Sequence, residues 1–106
     1  MFTGQNSLAI DKIDMATSRA HVYVHGRVQG VSFRANTRRN ALLFGVKGWV
    51  KNCDDGSVEA VFEGEMVAVD NIVKWCKQGP IGALVQRFDV CWEDYAGEFD
   101  SFSIVY

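Results

Sequence analysis

No excess of positive charge marks this sequence. Its 106 residues carry 11 Lys and Arg against 13 Asp and Glu, a formal net charge of −2. That balance argues against a dedicated nucleic-acid binder, which usually shows a basic surplus. It leaves room for a local basic site that takes a small anion. Cysteine is also scarce. Cys53, Cys76 and Cys91 are an odd set without paired spacing, which does not read as a disulfide framework and predicts free thiols in a reducing cytoplasm. A thiolate phosphatase needs an arginine six positions after its cysteine, and those positions hold Glu59, Gly82 and Gly97. There is no run of about 18 apolar residues, so no membrane span is expected. The opening MFTGQNSLAIDKIDMATSRA has no basic start followed by an apolar stretch, so it is not a secretory signal. No GxxxxGK[ST] phosphate loop is present.

What remains is one domain. Residues 1–18 are polar and aperiodic and are expected to form a flexible leader. Residues 19–106 then form a single domain, for which a hydrophobic content of 48% is enough to build one core.

Two constellations look chemical and are read structurally. His21 and His25 are four apart, which on a strand is about 13 Å at roughly 3.3 Å per residue. Imidazoles that far apart cannot share a zinc ion with bonds of about 2 Å. Asp54 and Asp55 are adjacent carboxylates, but Gly56 follows them, the signature of a hairpin turn rather than of a catalytic acid pair. Arg38 and Arg39 read as a solvated helix face, and Trp75 as packing.

Periodicity supplies the element order. AHVYVHGRV alternates from Ala20, with Val22 and Val24 on one face and Tyr23 and His25 on the other, as in a strand. Phe33, Thr37, Ala41 and Phe44 recur at helical spacing, and Gly45 stands where that helix should end. GWVKN and SVEAVFEG flank the Asp-Gly turn as a hairpin. Met66, Val69, Ile72, Val73 and Cys76 make a second helical stripe, stopped at Gly79-Pro80. LVQRFDVCW is a further strand, with Phe88, Val90 and Trp92 in register. The polar turn EDYAGEFD precedes a short last strand bearing Phe102, Ile104 and Tyr106. The order β-α-β-β-α-β, with a short extra C-terminal strand, predicts an α+β, ferredoxin-like sandwich. In it two helices cover one face of an antiparallel sheet.

The stretch GRVQGVSFR, Gly26 to Arg34, connects the first strand to the first helix. Its glycines allow the chain to curl with several N–H groups pointing inward. The helix that follows begins with N–H groups that have no intrahelical partner and carry partial positive charge. Such a concavity is an anion site of a size that suits a phosphate group. Arg34 is out of place unless an anion is bound, because a cation beside a helix N-terminus is unfavourable by about 0.3–1 kcal/mol. With a phosphate between dipole and guanidinium, its planar donors make a two-pronged contact.

These residues resemble the acylphosphatase family. GRVQGVSFR is similar to the family's phosphate-binding signature and GWVKN, Gly48 to Asn52, to its second motif. The likeness continues through DGSVEA, Glu63-Gly64, Trp75 before Gly79-Pro80, Ala83 and Val85, and closes with FSIVY. It covers roughly residues 20–106. The resemblance implies a ferredoxin-like sandwich that hydrolyses acyl phosphates. It implies Arg34 and Asn52 as the catalytic residues, and the backbone of Gln29, Gly30, Val31, Ser32 and Phe33, together with Arg34, as the phosphate cradle. Ser32 stands where the family often has glycine, and serine is less tolerant of positive φ.

No cofactor or metal is expected. An acyl phosphate leaves as a carboxylate whose conjugate acid has a pKa of about 4, so it departs without a general acid. The site needs to hold the phosphoryl group, spread its charge and place a water in line, a task for which Asn52 would orient the water. The expected ligands are a small acyl phosphate and, at the same site, inorganic phosphate or sulfate. Neither nucleic acid nor membrane is expected as a partner, and the chain is expected to be a cytoplasmic monomer. The alternative is a phosphate- or carbamoyl-phosphate-binding domain of a larger assembly. An RNA-binding sheet lacks its aromatic and basic strand motif here.

Overall fold

The computed structural model describes residues 16–106. Residues 1–15 of the expected leader lie outside that range, and the first strand already begins at Thr17. The elements are β1 (Thr17–Arg27), α1 (Phe33–Phe44), β2 (Lys47–Asn52), β3 (Val58–Glu65), α2 (Met66–Gln78), β4 (Leu84–Glu93) and β5 (Phe102–Val105). They form one sheet in the order β4-β1-β3-β2-β5. Among the described residues no helix is long and apolar enough to cross a membrane.

The two periods read from the sequence meet in the core. Val22 and Val24 of β1, Val50 of β2, and Ala60 and Phe62 of β3 are buried on one sheet face. Over them lie Phe33, Thr37 and Ala41 of α1 and Val69, Ile72, Val73 and Cys76 of α2. Thr37 tolerates burial because its hydroxyl donates to the Phe33 carbonyl at 2.8 Å, satisfying the one polar group it brings inside. Trp75 packs as expected, its ring centroid 5.4 Å from that of Phe33. Arg38 and Arg39 are exposed. Both helical stripes fade at the same end of the sandwich, where Phe44 and Met66 are exposed. Val90 and Trp92 are exposed too, because β4 is an edge strand with a neighbour on one side alone.

One expectation changes. The sheet is antiparallel through β4, β1, β3 and β2, but β5 pairs parallel to β2, in the register Gly48↔Phe102 to Lys51↔Val105. A tight turn at EDYAGEFD would have laid β5 antiparallel beside β4. The connection 94–101 instead crosses the sheet on the face away from the helices, where Phe99 lies 5.5 Å from the Arg19 guanidinium of β1 and the Glu98 N–H reaches Glu63 of β3. The chain therefore reaches the opposite edge running the same way as β2. Phe102 anchors it there, stacked on Phe62 with centroids 5.7 Å apart.

Gly48 of β2 stands where the β3 backbone leaves no room for a side chain. Its φ is +141°, and a Cβ there would stand 1.8 Å from the Val61 carbonyl oxygen, a backbone atom that cannot turn aside. Gly48→Ala is therefore expected to destabilise the fold by about 3 kcal/mol. At an m-value of about 1.5 kcal/mol/M, the urea midpoint falls by about 2 M.

Candidate functional site

The phosphate-loop candidate lies where three elements end together: the C-termini of β1 and β2 and the N-terminus of α1. Val28 is completely buried and Phe33 nearly so, pinning the loop at both ends. Between them Gly30 takes φ +75°, and Ser32 takes φ 62°, ψ 29°, the left-handed conformation, as N-cap of α1. Serine thus adopts the backbone shape that glycine would take more cheaply. The Ser32 side chain makes no capping hydrogen bond, and α1 has no acidic residue in its first turn. The positive end of the helix is left without an internal counter-charge.

The loop is fastened to the next motif by a side chain. Gln29 Nε2 donates to the Cys53 carbonyl at 2.8 Å and to the Ser57 carbonyl at 2.9 Å. Both acceptors belong to the hairpin that begins after Asn52. That hairpin is braced in turn by Asp55, whose Oδ1 accepts from the Ser57 N–H at 2.9 Å and the Ser57 hydroxyl at 2.6 Å. These bonds hold the Asp55 carboxyl below its ordinary pKa. The Asp54-Asp55 pair is accordingly a turn.

A cavity of about 370 Å³ opens between loop and hairpin. Gly30, Ser32, Phe33 and Arg34 line one side, with Val28 and Ala35 beside them, and Asn52 lines the other. Asn52 Oδ1 is buried and has no hydrogen-bond partner among the described residues, although such an acceptor normally finds one. Arg34 has no carboxylate partner among the described residues. Its guanidinium lies 5.1 Å from the centroid of the Tyr106 ring, a cation–π contact. An unpaired cation, uncapped helix N–H groups and an unfilled amide acceptor therefore share one cavity. A tetrahedral oxyanion with a water beside it would satisfy all three.

A second cavity, of about 380 Å³, lies at the other end of the sandwich among Met66, Val67 and Trp92. Ser18 and Asp70 also line it, but among the described residues no arginine or lysine does.

The acylphosphatase family model aligns with residues 20–104, from β1 into β5. The chain belongs to the acylphosphatase family. A relative from Syntrophus aciditrophicus named acylphosphatase is 58% identical over 88 residues, which are 83% of this chain and 92% of that one. The crystal structure of acylphosphatase from Bacillus subtilis superimposes with a TM-score of 0.80 at 37% identity, covering 84% of this chain and 99% of that one. The structure of T. kodakarensis HypF contains a similar unit, with a TM-score of 0.72 at 27% identity, but this chain covers 12% of its length.

Other side chains capable of chemistry do not line the cavity shared by Arg34 and Asn52. Cys53 adjoins Asn52, but its thiol faces Glu59 Oε1 at 3.6 Å. Burial and the Glu59 carboxylate push the thiol pKa up against an opposing hydrogen bond from Ser57. Cys76 is fully buried and is pushed up by that burial alone. His21 bonds Glu59 at 2.6 Å, and His25 lies 3.5 Å from Asp89. Among the described residues no three His, Cys, Asp or Glu side chains are placed to hold one metal ion.

Sequence reading did not find the Gln29 bonds, the lining by Val28 and Ala35, or the Tyr106 contact. Gln29 entered as part of a backbone cradle, and nothing in local spacing announces that its amide reaches across to the hairpin. Tyr106 was placed on a strand face with Phe102 and Ile104. It projects past the end of β5, and its side chain is 96% exposed.

Proposed function

We propose that this acylphosphatase-family chain hydrolyses the carboxyl–phosphate bond of acyl phosphates, releasing a carboxylate and inorganic phosphate. The reading is carried by one observation: Arg34, the uncapped start of α1 and the unpartnered Asn52 Oδ1 line a single cavity. The phosphoryl oxygens sit against the N–H groups of residues 29–33 and the Arg34 fork, which stabilise charge as it redistributes in the transition state. Asn52 Oδ1 accepts a hydrogen bond from a water and aims its oxygen at phosphorus. The water's P–O bond forms as the acyl P–O bond breaks. The carboxylate leaves with the bonding electron pair, and the water's proton passes to phosphate or solvent. No general acid is needed for a leaving group this weakly basic.

The same reading takes the enzyme as a cytoplasmic monomer with a small-molecule substrate and with inorganic phosphate or sulfate as an alternative site ligand. The larger-assembly alternative finds less support, since the chain is 58% identical to an acylphosphatase relative and 27% identical to the matching part of HypF.

A continuous benzoyl phosphate assay on the purified chain tests the reading, with p-nitrophenyl phosphate as control. Turnover of the first and not the second is expected, unchanged by a chelator or by Cys53→Ala. Comparable rates on both substrates, or abolition by the chelator or the Cys53 substitution, would overturn it.

A further inference from the structure

Glu63 is unusual for a residue on the sheet face that carries no helices. It is 2% exposed and lies near the end of β3 remote from the phosphate cavity. Five residue steps of strand lie between it and Val58, the cross-strand partner of Asn52, a distance of about 17 Å. A buried carboxylate is tolerable when donors surround it. Three of its donors are backbone N–H groups: Ala96 at 2.7 Å, Gly97 at 3.3 Å and Glu98 at 3.2 Å. A fourth is Arg19 Nη1 of β1, at 3.0 Å, and Arg19 also binds Glu93 at 2.8 Å and Glu98. All three backbone donors belong to the connection 94–101, so the carboxylate clasps that connection to the sheet.

The connection leads directly to the site. The Gly48 N–H donates to the Ser101 carbonyl at 3.0 Å, and β5 then runs beside β2 up to Lys51↔Val105. The next residue of β2 is Asn52, and the next after β5 is Tyr106, whose ring meets the Arg34 guanidinium. Four residues of parallel edge strand are a weak hold on their own. The clasp lies at the end of β5 where the chain enters.

We propose that Glu63 is a positioning residue for the phosphate site: by clasping residues 94–101 it sets the register of β5 and so the Tyr106 ring that orients Arg34. This rests on the reading of Arg34 as the phosphate-binding side chain. Glu63→Gln keeps the shape but removes the charge and one of the two acceptor oxygens. Because its effect travels through one exposed cation–π contact, it should weaken binding of inorganic phosphate about threefold, as should Tyr106→Ala. Adding Glu63→Gln to Tyr106→Ala should then change nothing further.

Calorimetric titration of the folded variants with inorganic phosphate decides the matter. Unchanged affinity in Glu63→Gln, or a loss that persists in full beside Tyr106→Ala, overturns the proposal. If Glu63→Gln does not fold, Arg19→Lys loosens the same clasp. It should give a smaller loss that likewise vanishes in the Tyr106→Ala background, and an additive loss overturns the proposal. Failure of the wild-type chain to bind phosphate would instead sink the reading of the site itself.

Discussion

Replacing Arg34 with lysine is expected to lower kcat/KM for benzoyl phosphate by about a thousandfold, the loss typical of removing a preorganised oxyanion donor. Lysine keeps the positive charge, so an unchanged rate would mean that charge alone suffices. The geometry argues otherwise. The helix end already supplies positive potential, and what the guanidinium adds is a planar pair of donors in the same cavity. A flexible ammonium is a point charge and cannot span two phosphoryl oxygens. Inhibition by inorganic phosphate should weaken in parallel. Phosphate should raise the melting temperature of the wild-type chain, because it binds the folded state alone, and should do so much less for Arg34→Lys. Retention of that ligand-induced shift in the variant would show that the guanidinium does not touch the anion.

Asn52→Ala is expected to lower kcat by about a hundredfold or more while inorganic phosphate binds almost as before. The split follows from which group faces what. In the proposed mechanism the phosphoryl oxygens are held by the loop and Arg34, whereas Asn52 offers an acceptor to the water. An interaction used to aim the nucleophile appears in turnover and not in ground-state binding of the product anion. Stability gives a second reading. Asn52 Oδ1 is buried without a partner among the described residues, so deleting it removes a desolvated acceptor and breaks no hydrogen bond of that atom. The urea midpoint of Asn52→Ala should stay level or rise. Equal loss of turnover and phosphate affinity would contradict the division of labour between Arg34 and Asn52, and a large fall in stability would show that the amide is a structural tie.

The pairing of a costly loop with an open site runs through the molecule. Ser32 takes a left-handed backbone conformation, Arg34 lies beside a dipole of its own sign, and Asn52 keeps an unfilled acceptor. Each is unfavourable for the empty chain and would be relieved by an oxyanion with its water. Local rules broken at one place and mutually relieved by one ligand are what a functional site looks like against a consistent core.

How much of this could be read in advance depends on the range of the interaction. The strands and helices of the core follow from periods of two and 3.6, because burial of one face is a local property of the pattern. The anion site is legible in nine consecutive residues for the same reason: glycines, a helix start and an arginine need no distant partner to imply a phosphate. The hairpin turn at Asp55-Gly56 is equally local. The parallel pairing of β5 is not. Whether EDYAGEFD turns back or crosses the sheet depends on what its backbone finds there, and it finds Glu63 and Arg19, more than thirty residues away in sequence.

The sequence by itself pointed to the proposed chemistry, an oxyanion held by N–H groups and a guanidinium, and carried the motifs of the acylphosphatase family to which the chain belongs. Only the tertiary structure decided how those groups are held. Gln29 ties the loop to the hairpin, the Tyr106 ring touches the Arg34 guanidinium, Asn52 is left with an open acceptor, and Glu63 holds the connection that delivers β5. Apart from the open Asn52 acceptor, these are contacts between side chains and chain segments far apart in sequence. Their partners are chosen by packing of the whole sheet, and no spacing within a single segment encodes that choice.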